Sequence, residues 1–278
     1  REMYDLIIIG GGIYGAMLAL EASLRDLSAL VVEKEDFGGA TSYNSLKTIH
    51  GGLRALQTLD IKRYREYAGE QRWFLDYFPD LVKPLQVLMP LYQRGLHRTS
   101  AFRLAFFLEG LLSRRPEQNT STGRSLPSGR IVPAKEVKRL FPAVDARRLK
   151  GGALWHDAWM PDTQRLIMAI LRGACGLGAT ALNYVEATEL LTDRQKVIGI
   201  STRDAIHNTD YTFSSKVIVN ATGPWCRQIA RCFDRDVPDL FRDSIAWNVL
   251  FDRDALSTCS LAVAPPEGGS RLYFVHSW

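Results

Sequence analysis

Residues 4–33 read YDLIIIGGGIYGAMLALEASLRDLSALVVE, and this stretch decides the fold. An apolar run, Tyr4–Ile9, enters Gly10-Gly11-Gly12-Ile13-Tyr14-Gly15; a helix-compatible segment follows, and a second β-branched run ends at Glu33. The order is strand, turn, helix, strand, and each spaced glycine has a task in it. Gly10 permits the tight turn out of the strand, Gly12 lets backbone approach a pyrophosphate, and Gly15 lets the helix pack closely on the strand. The helix N-terminus at Ile13 and Tyr14 offers free N–H groups and a partial positive charge to phosphates. Glu33, with Lys34 beside it, ends the second strand, where a carboxylate can accept both hydroxyls of a ribose. The spacing predicts a dinucleotide site, equally suited to a nicotinamide or a flavin dinucleotide.

The remaining composition bounds the answer further. The chain has 278 residues, 46% hydrophobic and 23% charged, which suits one large globular domain or two ordinary ones. The net charge of +5 is mild, and basic residues gather between Arg94 and Lys150. Such a stretch suits an anionic substrate, an anionic membrane surface or a plain solvated face. It has no nucleic-acid module's pattern, so nucleic acid is not an expected partner. Cys175, Cys226, Cys232 and Cys259 form no CxxC pair, and the five histidines are scattered, so no metal site is expected. The cysteines read as buried or incidental thiols of a reducing compartment. No apolar run reaches a membrane span's length, and the first residues lack signal-peptide anatomy.

Farther along, periodicity predicts helices over Ile13–Arg25, residues 60–78, Thr99–Ser113, Pro133–Phe141 and Asp162–Leu177, the last opened by an aspartate cap. Strands are expected at Ser28–Glu33, Leu85–Tyr92 (interrupted by Pro90), Gly151–Trp155, Thr180–Asn183, Glu186–Leu191, Val197–Arg203, Tyr211–Phe213 and Lys216–Asn220. Three more, Ile245–Phe251, Leu261–Ala264 and Arg271–Val275, suggest a second sheet. Residues 34–53 and 114–130 read as loops. The Thr99–Ser113 helix, with Phe102, Leu104, Phe106, Phe107, Leu108, Leu111 and Leu112, reads either as a buried helix or as an interfacial one beside Arg103, Arg114 and Arg115.

A second constellation narrows the cofactor. Residues 41–56 read TSYNSLKTIHGGLRAL, a polar track unusual after the acidic ribose residue of a nicotinamide domain. Together with IIIGGGIYGA, VVEKEDF, NATGPW and RLYFVHSW, this stretch resembles the FAD-dependent glycerol-3-phosphate dehydrogenase family of the D-amino-acid-oxidase-like flavoproteins. The resemblance implies an α/β protein with a Rossmann-like FAD-binding domain of the GxGxxG type and an inserted α+β substrate domain. Residues 1–83 and 151–235 would form the FAD-binding domain, and residues 84–150 and 236–278 the substrate domain. It also implies that part of the family's C-terminal region is missing.

By the same resemblance, Thr41 and Ser42 would serve the pyrophosphate, and Ser45 and Lys47 would continue toward the flavin. His50, Gly51 and Gly52 would lie along the isoalloxazine, and Arg54 would bind an anionic group of the substrate. Ala221, Thr222 and Gly223 would let the chain pass close to the dinucleotide, and Val185 would offer a backbone contact to adenine. His50 and Arg54 are the expected catalytic pair. Two positions depart from the family pattern: Ala55 stands where a tyrosine follows HGGLR, and Asn248 aligns with a proton-accepting histidine. The expected activity is hydride transfer from a hydroxylated substrate, such as glycerol 3-phosphate, to FAD, with a quinone or other acceptor downstream. The alternatives are a flavin-binding but silent domain and an oxidase of another hydroxy or amino substrate. A cytoplasmic protein is expected, with contact to the inner face of the membrane as a separate expectation.

Overall fold

β1 (Met3–Ile9), α1 (Ile13–Ser23) and β2 (Ala29–Val32) form the expected opening unit. Ile7, Ile8 and Ile9 and all of β2 are buried, as parallel strands covered on both faces require. The computed structural model describes residues 3–92, 99–112, 126–194, 196–233, 245–264 and 272–277. Arg94, Arg98, Arg114, Arg115, Arg124, most of the expected 114–130 loop, and Trp278 lie outside the described residues.

Contacts divide the chain into two units, Arg1–Lys47 with Asp162–Asn248 and Thr48–Pro161 with Val249–Trp278. In the first, β7 (Thr180–Leu182), β8 (Val185–Asp193), β9 (Lys196–Asp204) and β10 (Thr209–Asn220) complete a sheet of order β7-β2-β1-β10-β9-β8. The pairs β7–β2, β2–β1 and β1–β10 are parallel, whereas β8 and β9 add an antiparallel edge. α7 (Thr163–Gly176) buries Leu166, Ile167, Ile170 and Ala174 and packs on α1, whose Ala16 and Ala19 are also buried. Asp162 caps α7 as expected, accepting from the Arg165 N–H at 3.0 Å. The two short strands expected at Tyr211–Phe213 and Lys216–Asn220 are one strand, β10, and it is only half-buried, with Val217 52% exposed.

The second unit holds β3 (Thr48–Ile49), β4 (Lys83–Leu91), β5 (Arg130–Val132), β6 (Gly151–Trp159), β11 (Ser260–Val263) and β12 (Tyr273–Val275). β6 is the spine: β4 pairs along its full length, while β3 and β5 share its other edge. One face buries Val87, Met89, Leu91, Ala153 and Trp155 against Phe102 and Phe106 of α5 (Thr99–Leu112). The other buries Leu88, Val132 and Leu154 against Val137 of α6 (Ala134–Leu140) and Phe141. α3 (Leu53–Gln57) packs with α4 (Ile61–Tyr77) and α5 around Ala55, Leu56, Tyr64 and Ala105.

Contacts divide the units at 47/48, 161/162 and 248/249, where the resemblance places domain boundaries at 83/84, 150/151 and 235/236; β3 pairs with β6, and α3 and α4 pack in the second unit. Three expectations need correction. Pro90 does not interrupt its strand: β11 pairs only with Val87 and Leu88, so no ladder on that edge is broken at Pro90. Residues 34–53 are not all loop, since they form α2 (Ala40–Tyr43) and β3. The strand expected at Ile245–Phe251 is absent; with no ladder partner among the described residues, the segment is irregular, and Ile245, Trp247 and Phe251 are exposed.

Part of the basic stretch is paired locally. Arg130 pairs with Glu136 at 2.7 Å, Arg147 pairs with Asp145 at 3.0 Å, and Lys138 donates to the Val144 carbonyl. Cys259 is buried, which pushes its thiol up to about 11, whereas Cys175 and Cys232 are exposed.

Candidate functional site

The glycine turn of the first unit is locked by its neighbours. Gly10 sits at φ +108°, its N–H donates to the Val32 carbonyl at 2.9 Å, and a Cβ there would lie 2.7 Å from the Ala221 oxygen. Ala221 in turn donates its N–H to the Ile9 carbonyl at 2.8 Å. A Cβ on Gly15 would fall 1.9 Å from the Gly10 oxygen, so only glycine lets α1 start this close to the strand. Glu33 reaches back over the turn: its Oε2 accepts from Gly11 N at 2.7 Å and its Oε1 from Glu35 N at 3.0 Å. Each carboxylate oxygen keeps a lone pair for a hydroxyl.

Ser42, carried on α2, places its Oγ 3.1 Å from Ile13 N and accepts that N–H, which leaves the serine proton for a ligand at the start of α1. Gly12 is the residue before the helix and has no side-chain cap of its own. Tyr14 is 76% exposed and Thr41 is exposed. Lys34 stacks its ammonium 5.6 Å from the Trp225 ring, and Lys47 lies 5.3 Å from the Tyr43 ring. Ser45 Oγ accepts from Lys47 N at 3.3 Å. Val185 donates its N–H to the Glu33 carbonyl at 2.8 Å, so that group is committed within the sheet. Thr222 bonds Asn220 through N and Oγ1, and Gly223 takes φ +58° in the 3-10 turn that follows. A cleft of about 460 Å³ lies nearby in the same unit, lined by Glu35, Asp36, Gly39, Tyr43, Gln164 and Tyr184, where Tyr184 donates to Asp36 at 2.6 Å.

The second unit holds His50, Gly51, Gly52 and Arg54. His50 donates from Nδ1 to Asp157 Oδ2 at 2.9 Å, and Gly51 N donates to Asp157 Oδ1 at 3.0 Å. Asp157 is 3% exposed, whereas the His50 side chain is half open at 54%. The Asp157 carboxylate beside it holds the His50 imidazole above the ordinary histidine range, with burial opposing. Because the folded-state value is raised, this pair stabilises the fold fully below about pH 6.5, and the contribution is lost as pH rises through the folded-state value. Gln71 of α4 donates to the Ile49 carbonyl at 2.9 Å and bears on the same turn. Gly52 caps α3 at φ +80°. Arg54 is exposed on α3, with no ion-pair partner among the described residues, and Ala55 next to it is buried.

Asp157 and Gln71 escape a reading of motifs. The signal for Asp157 is present, however: in Trp155-His156-Asp157-Ala158-Trp159 it shares a strand face with two tryptophans, where a charge demands partners. Burial also pushes His156 and His276 below the usual imidazole range, and among the described residues no cluster suits a metal ion.

The profile of one protein family, described as FAD dependent oxidoreductase, matches residues 5–265. The chain belongs to the FAD-dependent oxidoreductase family. It is similar to the glycerol-3-phosphate dehydrogenase of Synechocystis sp., 34% identical over 229 residues, which is 81% of this chain and 40% of that protein. The aerobic glycerol-3-phosphate dehydrogenase of Bacillus subtilis is also 34% identical, over 82% of this chain and 40% of its own length. Among solved structures, the glycerol-3-phosphate dehydrogenase of Bacillus halodurans complexed with FAD superposes with a TM-score of 0.59 at 25% identity. That match covers 84% of this chain and 36% of that one. The FAD-bound L-alpha-glycerophosphate oxidase of Mycoplasma pneumoniae shares the fold, with a TM-score of 0.61 at 19% identity over 84% of this chain and 58% of that one. The chain thus spans about 40% of the length of the curated relatives it matches. Among its described residues no helix is long and apolar enough to cross a membrane.

Proposed function

We propose that this protein binds FAD and oxidises the hydroxyl of a small anionic substrate such as glycerol 3-phosphate. The observation that carries the reading is the locked turn in which Glu33 bonds Gly11 and Ser42 bonds Ile13. An anion fits there, because α1 presents backbone donors and a Cβ-free approach at Gly12. Gly10, Gly12, Ile13, Tyr14, Gly15, Thr41 and Ser42 would hold the pyrophosphate, and Glu33 and Lys34 the ribose. Val185 would flank the adenine, and Ala221, Thr222 and Gly223 would let the dinucleotide pass. Ser45, Lys47, Gly51 and Gly52 would serve the flavin end. When bound, FAD supplies a two-electron, hydride-accepting oxidant.

The side chains of the second unit do the rest. His50 accepts the hydroxyl proton at Nε2, and Arg54 holds the substrate's anionic group with its forked donors. Anaerobic addition of glycerol 3-phosphate to the FAD-loaded protein should bleach the visible flavin band. Arg54→Ala should keep the flavin and raise the half-saturating substrate concentration roughly 10- to 100-fold, the loss of one charged contact. A flavin that no phosphorylated polyol bleaches would sink the dehydrogenase reading. It would favour the silent-domain reading, which the buried Ala55 and the exposed Asn248 support, since neither supplies the expected hydroxyl or imidazole.

We further propose a cytoplasmic protein that passes electrons to a quinone at the inner face of the membrane. Leu104, Phe107 and Leu111 form an exposed apolar stripe on α5, which supports interfacial contact. Co-flotation with anionic vesicles is expected, and a protein left at the bottom of the gradient would end that idea.

A further inference from the structure

We infer that Asp157 is the positioning residue of the His50 turn: its buried carboxylate sets which ring nitrogen of His50 faces the reaction. The inference rests on the reading that His50 accepts a proton, and it deepens that reading. Asp157 is an acceptor only, and two donors converge on it, the Gly51 N–H at 3.0 Å and the His50 Nδ1 at 2.9 Å. Accepting from both fixes the backbone of the turn and the tautomer of the ring together. With the proton on Nδ1, Nε2 keeps its lone pair, and no described residue bonds it. The ring rests 5.9 Å from Phe274, which leaves the side chain half open.

The geometry excludes the opposite tautomer, because a proton on Nε2 would set the Nδ1 lone pair against a buried carboxylate oxygen at 2.9 Å. Other groups around the carboxylate sharpen its task. Glu109 of α5 faces Asp157 and accepts from Gly129 N at 2.8 Å; burial, with the Asp157 charge adding to it, pushes the Glu109 carboxyl up. His156, next along β6, is pushed down by burial, which favours its neutral form. Gln71 braces the turn through the Ile49 carbonyl. His50 is therefore the cation that balances Asp157 here when it is protonated, and the proton taken at Nε2 is stabilised by that carboxylate.

The test compares the chain with Asp157→Asn. An amide has one acceptor oxygen; if that oxygen keeps Gly51, its NH₂ faces Nδ1 and forces the ring proton to Nε2. Nitrogen-15 NMR of histidine-labelled protein, with His50 assigned by His50→Gln, should show the neutral ring protonated at Nδ1 in the parent and at Nε2 in Asp157→Asn. The His50 titration should move to lower pH in the variant, and kcat should fall about 10²- to 10⁴-fold with flavin occupancy unchanged. The acid limb of the parent's pH profile should lie above the ordinary histidine value and should shift with the NMR titration. A parent ring protonated at Nε2 overturns the inference, as does an unchanged tautomer in the variant. If Asp157→Asn does not fold, the parent's tautomer alone decides. A parent that oxidises no polyol yet shows the Nδ1 tautomer and its loss in Asp157→Asn would sink the proposed function and leave the positioning role standing.

Discussion

Gly15→Ala is expected to cost the first unit about 3 kcal/mol or more and to abolish flavin retention. The added methyl would lie 1.9 Å from the Gly10 carbonyl oxygen, and the atom it meets is backbone, not a movable side-chain end. Relief requires lifting α1 or opening the Gly10 turn. The first disturbs the packing of α1 on α7; the second pulls Gly10 off Val32 and away from Ala221. Overpacking in a core costs roughly 1–3 kcal/mol, and a backbone obstacle puts this site at or above that range. Domain stabilities of about 5–15 kcal/mol make the loss a large fraction of the whole. Gly69→Ala is the control, since nothing lies within 4 Å of a Cβ there and alanine suits the middle of α4. Urea melts and FAD titration read both variants. A Gly15→Ala protein that melts with the parent and stays yellow would remove the proposed fit of the turn to its ligand.

Glu33→Ala should raise the FAD dissociation constant by roughly 10²-fold or more, because hydrogen bonds to a charged group contribute about 1.5–3 kcal/mol each. The carboxylate is pre-aimed by Gly11 N at 2.7 Å and Glu35 N at 3.0 Å, so little ordering is needed before it meets a ribose. Removal also orphans the N–H of buried Gly11 and should lower apo stability by about 1–3 kcal/mol. Glu33→Gln separates the two effects: its neutral amide can still accept from Gly11, while the charge-assisted ribose contacts weaken. Flavin occupancy equal to the parent's in Glu33→Ala would refute the ribose role.

The opening unit was legible because its logic is local. Gly10, Gly12 and Gly15 act on neighbours within a few residues, and the second strand follows at once. The helices over residues 60–78 and 162–177 were legible for the same reason, their apolar faces, and for the second its Asp162 cap, being written in one stretch. What escaped depended on partners distant in sequence. β3 belongs to the second unit only because residues 158 and 159 pair with it, and Asp157 matters only because Gly51 and His50 converge on it. Residues 245–251 mislead for the converse reason: β-branched and aromatic side chains favour a strand, but propensity without a pairing edge makes none. Pro90 misleads because whether a proline breaks a strand depends on the neighbour, which the local sequence does not reveal.

The pairing of β1 with β10 has a consequence for the chain's birth. Ile9 finds Asn220, and Gly10 finds Ala221, only after some two hundred intervening residues have been made. At ribosomal speeds of about 5–20 residues per second, β1 waits roughly 10–40 s for that neighbour. Meanwhile β2 and α1 can form beside it, leaving one apolar edge of Ile7–Ile9 unpaired. The nascent chain is therefore adhesive in the interval between the synthesis of β1 and that of β10. A shielding chaperone bound to the emerged β1 during that interval should raise the soluble yield more than one supplied only after β10 has been made.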